Sequence, residues 1–333
     1  MESPQESPQE TFEPYRTALF GHCYRMLGSP TDAEDAVQDT LLKAWKSYDA
    51  FDGRSQLGTW LYRIATHVCI DKLRAEGRRE LPVRLGSAGT IDDPLVEKPR
   101  THWLEPVPDA SALPQVDPER RAELRQTLRL AFVAALQHLP ARQRAVLLLK
   151  DVLGFSTREI ADTLETSEAS VNSALQRARA SLAARQPDAR SVAPSNTQRE
   201  LVDRYVDAFH RYDVDALVSL LREEGTLSMP PYTLWLRGHD SIARWLRGPG
   251  IGCKGSRLVA TQASGSIAFG QYRKAEKGHH AWSLIVLELD ADRIASMTHF
   301  LDVETLFPLF GLPLGVTFED RQGFPLMADQ PTR

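Results

Sequence analysis

The chain has 333 residues, is 42% hydrophobic and 25% charged, and carries a formal net charge of −4. That is a globular composition, sized for two or three domains at roughly 100–200 residues each, and too acidic to coat nucleic acid indiscriminately, although local basic faces are allowed. No apolar run approaches the roughly 18–20 residues that span a bilayer, the N-terminus lacks the basic and apolar regions of a secretory signal, and Cys23, Cys69 and Cys253 are too scattered for a metal or disulfide framework, so a cytoplasmic protein with no membrane contact, no metal and no cofactor is expected.

In chain order, residues 1–11 read as a disordered tail and residues 12–84 as helical. The segment 85–117 holds five prolines and no periodicity and reads as a linker. Residues 118–186 are helical again, 187–197 form a second linker, 198–318 mix helices with strand-like runs, and 319–333 form a tail. The C-terminal pattern predicts helices over 198–211 and 213–223, then strands such as SRLVATQ, SIAFGQYR, AWSLIVLEL and RIASMTHFL, with the helix DSIARWLRG among them. The expected fold class is therefore multidomain: two all-α units followed by an α+β unit.

Within the second helical segment, FSTREIADTLETSEASVNSALQRARASL (155–182) predicts two short helices joined by a tight turn. Ser156 and Glu159 fit a capping box, and Thr166-Ser167 suits the start of the second helix. Val171, Leu175, Ala178 and Leu182 make one apolar stripe. The opposite face carries Ser170, Asn172, Ser173, Gln176, Arg177 and Arg179, side chains able to bond base edges and phosphates. The pattern is that of a DNA-reading helix-turn-helix, or of a helical hairpin with a solvated polar face.

In the first helical segment, AEDAVQDTLLKAW and TWLYRIATHVCIDKLR predict two amphipathic helices, the first with an acidic start and the stripe Ala33, Val37, Leu41 and Ala44. From Arg63 to Arg84 there are six basic residues against three acidic ones, a local basic face. This text resembles region 2 of the sigma-70 family in its extracytoplasmic-function (ECF) branch, and LPARQRAVLLLKDVLGFSTREIA resembles region 4.

The resemblance implies a sigma factor that binds core RNA polymerase and promoter DNA and initiates transcription. It implies polymerase docking through Glu34, Asp35, Gln38 and Asp39, reading of the −10 element by Arg54, Ser55, Arg63, His67 and Lys72, and reading of the −35 element by the polar face of the second helix. Trp60 reads as a core ring or as one that stacks on a base. His67 stands where many relatives carry Asn, Asn172 and Ala174 where they often carry basic residues, and Glu165 where they usually carry Gly. An L-residue in a left-handed turn there costs roughly 1–2 kcal/mol. About 32 extended linker residues span at most ~105–115 Å, against roughly 70–80 Å between the two promoter elements at about 34–36 Å per turn.

Ordinary ECF factors end near Ala184. Here the chain continues with a text that resembles the SnoaL-like, nuclear-transport-factor-2-like cone, a curved antiparallel sheet around helices with a pocket between them. Residues expected around such a pocket are Met229, Tyr232, Trp235, Trp245, Trp282, His299, Phe300 and Asp302. Asp302, with His299 and His239, would be the carboxylate of a catalytic relative, but no catalytic residue is assigned. The expectation is that this unit regulates the sigma factor in cis, with Trp103 in HWLEPVPD as a docking residue. The alternative is a fused small-molecule-binding or isomerase/cyclase-like domain.

Overall fold

The computed structural model describes residues 11–51, 53, 55–184 and 196–318. The chain divides into two compact units, Met1–Arg79 with Leu104–Ala189, and Glu80–Trp103 with Arg190–Arg333.

The first unit is helical. Helix α1 (Arg16–Leu27) stops at Gly28, whose φ of 79° suits glycine. Ser29 then caps α2 (Pro30–Lys46), accepting the Asp32 N–H at 3.3 Å, with Pro30 at the first helical position. Helix α3 (Leu57–Glu76) starts two residues earlier than its apolar pattern suggests. These three helices bury Leu19, Cys23, Val37, Leu61, Ala65 and Cys69 between them. Helices α4 (Pro118–Gln126), α5 (Leu130–Gln137), α6 (Ala141–Leu147), α7 (Thr157–Thr163) and α8 (Glu168–Ala183) follow.

Two buried arginines join the early helices to the late ones. Arg25 donates to Gly21 O at 2.6 Å, to Thr127 Oγ1 at 2.8 Å and to Leu124 O at 3.1 Å. Arg144 donates to Met26 O and, at 2.8 Å, to Gln137 Oε1. Their acceptors are carbonyl and hydroxyl oxygens, and burial pushes both guanidinium pKa values down to about 10.

In the second unit α9 (Asn196–Arg211) and α10 (Val214–Ser219) lead into a sheet ordered β2-β1-β6-β5-β4-β3. The strands are β1 (Leu221–Ser228), β2 (Trp235–Arg237), β3 (Arg257–Ala263), β4 (Ser266–Lys274), β5 (His279–Asp290) and β6 (Arg293–Phe300). Helix α11 (His239–Arg247) separates β2 from β3, and α12 (Val303–Leu309) follows β6.

Two expectations are corrected. The second helix ends at Ser219, and Leu221–Ser228 is already strand. The sheet is mixed, because β1 and β6 pair in parallel while every other pair is antiparallel. The β5–β6 hairpin returns alongside β1 only after the chain has passed through α11 and three strands, and it arrives in the direction of β1.

One sheet face packs against the helices through Tyr205, Phe209, Trp245, Phe269, Ile285, Leu287 and Met297. The linker expected over 85–117 is divided between the units, and residues 80–103 form a strap on the sheet unit. Gly89 N–H donates to Trp235 O at 2.9 Å, Lys98 N–H to Pro231 O at 3.0 Å, and Thr233 N–H to Val96 O at 2.9 Å. Ile91 packs against the sheet-unit core, and Arg100 pairs with Asp302 at 3.2 Å. The ends of the strap meet, since Glu80 and Trp103 form a parallel bridge and Glu80 N–H donates to His102 O at 2.9 Å.

Candidate nucleic-acid and polymerase interface

Helix α2 turns Ala33, Ala36, Val37, Thr40 and Ala44 inward, which leaves Asp35, Gln38 and Asp39 exposed on the other side. Glu34 is half-buried and pairs with Arg16. The same exposed face carries two large apolar side chains, Leu42 at 51% and Trp45 at 54% exposure. An acidic stripe extended by bare apolar side chains is the composition of a protein-docking face. Sequence reasoning missed Leu42 and Trp45, although both lie off the buried stripe of a clearly amphipathic helix.

Helix α3 presents Arg63, His67 and Lys72 in succession. His67 Nδ1 lies 2.9 Å from Arg63 O, and Lys72 Nζ lies 3.9 Å from Asp39. Arg54 lies outside the described residues. Trp60 is half-buried in an aromatic cluster, 5.0 Å from Phe51 and 6.5 Å from Tyr48 by ring centroids. It also lines a cavity of about 690 Å3, together with Phe51, Ser55 and Arg63 on one wall and Ala161, Asp162, Glu165 and Thr166 on the other. The second wall is the end of α7 and the turn that follows it, and Glu165 reaches Arg63 at 3.2 Å.

The helix pair itself follows the sequence closely. Both bonds of the Ser156–Glu159 capping box are present, and they hold the Glu159 carboxyl below its usual range. Ser167 caps α8. Glu165 takes φ 51°, the left-handed turn in which glycine is expected. Val171, Leu175 and Ala178 are buried, while Ser170, Asn172, Ser173, Gln176 and Arg177 lie exposed on the opposite side. Arg177 Nη1 donates to Ser173 Oγ at 2.6 Å. Arg179 is held apart from this group, because its guanidinium makes a two-pronged pair with Asp151 at 2.5 and 3.0 Å.

The residues expected around a pocket in the sheet unit divide between the two sheet faces, since side chains alternate along a strand. Met229 and Trp245 pack with the core on the helix side. Trp235 pairs with Ser228 while Leu236 pairs with the core residue Leu227, which puts Trp235 on the opposite face. Phe300, opposite Leu284, is likewise on the face away from Ile285 and His299. Tyr232 is engaged by the strap, where Glu97 forms a bridge with it and a side-chain hydrogen bond that helps burial raise its phenol pKa. Asp302 is paired with Arg100, and His239 lies against the carbonyls of Leu221 and Arg222 at 3.2 and 3.1 Å. Trp282 and His299 remain on the inner side.

A helix-turn-helix with an exposed polar face, a helix carrying Arg63, His67 and Lys72 beside an aromatic cavity, and a helix with an exposed acidic and apolar face stand in one compact unit, and the sequence of that unit is of the sigma-70 class. Residues 11–79 match Sigma-70 region 2, and residues 129–182 match Sigma-70 region 4. The chain is 47% identical over 309 residues to the ECF RNA polymerase sigma factor SigG of Mycobacterium tuberculosis (strain H37Rv), covering 90% of this chain and 82% of that one. It is 31% identical to the ECF RNA polymerase sigma factor SigJ of the same strain, over 71% of each chain. The crystal structure of Mycobacterium tuberculosis SigJ shares the fold with a TM-score of 0.58 at 22% identity, covering 92% of this chain and 99% of that one. The chain belongs to the ECF family of RNA polymerase sigma factors, which direct the core enzyme to promoters.

Proposed function

We propose that the sheet unit controls this sigma factor in cis by clasping the connection between regions 2 and 4. The observation that carries this reading is the bridge between Glu80 and Trp103, which ties the two ends of the strap together. While the clasp holds, only residues 104–117 remain to be drawn out, about 46–50 Å at 3.3–3.6 Å per residue. The two promoter elements lie roughly 70–80 Å apart. The shortfall must then come from the width of the helical bundles. Release of the strap adds residues 80–103, about 79–86 Å of extended chain.

The other roles fall to the exposed faces. Asp35, Gln38 and Asp39, with Leu42 and Trp45, dock on core polymerase; Arg63, His67 and Lys72 beside Trp60 engage the −10 strand; Asn172, Ser173, Gln176 and Arg177 read the −35 element. The cytoplasm is where this role is exercised. Promoter-dependent transcription with core polymerase tests the control in cis. The comparison sets the full chain against a truncation after residue 190 and against Trp103→Ala and Ile91→Asp, which loosen the strap. The expected result is a rise in all three variants. Equal activity throughout would leave the sheet unit a passenger.

A further inference from the structure

The inner face of the sheet carries a polar cluster that the sigma function does not use. Gln271 and Ser283 face each other across β4 and β5, and Ser283 Oγ donates to Gln271 Oε1 at 2.7 Å. Gln271 Nε2 donates to Ser256 Oγ at 3.3 Å, and Ser283 Oγ lies 3.4 Å from His299 Nδ1. The register then slips. Gln271 pairs with Ser283, but Tyr272 pairs with Ala281, so Trp282 is the extra residue of a bulge. A bulge turns its extra side chain out of the normal alternation. Here it lays the Trp282 ring under the Arg273 guanidinium, with the Arg273 carbon 3.2 Å from the ring centroid.

Among the described residues Arg273 has no counter-charge. Its Nη2 donates to Cys253 Sγ at 3.2 Å, and its Nε is buried with no hydrogen-bond partner. Among the described residues no carboxylate pairs with it. A guanidinium stays protonated throughout the physiological range and presents a planar fork matched to carboxylate. Beside it stand an amide, two hydroxyls and His299, whose pKa burial and the Arg273 charge push down to about 4, and His280 lies opposite it across the strand pair. A fixed cation with an unfilled donor, backed by an aromatic ring and flanked by an amide and hydroxyls beside an apolar core, is the composition of a small-anion site.

We propose that the interior of the sheet unit binds a small organic acid, with the Arg273 fork on its carboxylate, Trp282 holding the fork in place, and Gln271, Ser283 and His299 as neutral polar neighbours. The apolar body of the acid lies toward Phe269 and Met297, residues of the adjoining core. This assignment is independent of the control in cis, since occupancy is read by binding and not by transcription.

The test uses the full chain and four probes in calorimetric titration: benzoate, hexanoate, benzamide and inorganic phosphate. At least one carboxylate should bind saturably at one site per chain, at least tenfold tighter than benzamide. Arg273→Gln should weaken it tenfold or more, and Arg273→Lys, which keeps the charge and loses the fork, should fall between. In the unaltered protein the Arg273 Nε–H resonance should move on adding that carboxylate, a readout that does not depend on any variant folding. Failure of both carboxylates to bind, equal binding of benzamide, binding of phosphate as tight as that of the acids, or an Nε–H signal that stays still would each overturn the assignment.

Discussion

The Arg63 guanidinium of α3 lies 3.2 Å from the carboxylate of Glu165, the left-handed residue in the turn of the helix-turn-helix. The pair joins the two elements proposed to read DNA across the aromatic cavity around Trp60. Both side chains are exposed, at 46% and 71%, so the pair contributes at most about 1 kcal/mol. A left-handed non-glycine costs about 1–2 kcal/mol. Glu165→Gly is therefore expected to change stability in urea unfolding by no more than about 1 kcal/mol, because the entropy of glycine and the loss of the pair offset the relieved strain. It should also raise affinity for a single-stranded −10 oligonucleotide by up to about fivefold, the equivalent of about 1 kcal/mol. Unchanged affinity in an anisotropy titration would show that the pair does not screen Arg63.

On the polymerase side, the double charge reversal Asp35→Lys/Asp39→Lys is expected to weaken binding to core enzyme, with a smaller loss at high salt where charge is screened. Trp45→Ala should weaken it independently of salt, because a large exposed ring contributes through buried area. Helix content should stay the same, since all three side chains are exposed. A pull-down of core enzyme that retains full yield with both variants would remove α2 as the docking face.

For the −35 element, Arg177→Ala and Asn172→Ala should behave differently. Asn172 on a base edge predicts relaxed preference at one base pair, a change of about 1–3 kcal/mol. Arg177 on a phosphate predicts a uniform loss with a shallower salt dependence. Arg179→Ala should change promoter affinity less than either, because Asp151 already occupies its guanidinium. Competition binding on a set of single-base promoter variants separates the three.

Two histidines with strongly lowered pKa values contribute to the response to acid. His22 is buried, 3.1 Å from Thr66 Oγ1 and edge-on to Tyr62, and its pKa is lowered to about 3 by burial first and by Arg25 second. His299 is lowered to about 4 in the same order of causes, burial and then Arg273. Both fold neutral and take up a proton when unfolded, near the ordinary value of 6.5. Stability is therefore fully present above pH about 6.5 and falls as pH drops toward 4 and below. His22→Gln, which keeps a donor for Thr66, should flatten that fall in urea midpoints measured from pH 7 to pH 4.5. A slope identical to that of the unaltered chain would contradict a neutral buried His22.

The local elements were legible in the residues. The capping box at Ser156–Glu159, the stripe Val171–Leu175–Ala178 and the acidic start of α2 each depend on contacts three to seven residues apart, which periodicity and capping chemistry report directly. What the residues could not show depends on partners far away in sequence. Nothing in the local text LPARQR marks Arg144, which is buried and bonded to Met26 O. Trp235 and Phe300 read as pocket rings, but strand parity, which is set by registers of β1 with β2 and of β5 with β6, places them on the other face. The strap over 80–103 has no periodicity of its own because its hydrogen bonds are made by loop carbonyls and amides between Pro231 and Trp235, more than a hundred residues away. Local free energies fix helices, caps and turns. The clasp at Glu80–Trp103, the bulge that turns Trp282 onto Arg273 and the meeting of Arg63 with Glu165 are decided only when distant backbone and buried charge find each other in the folded chain.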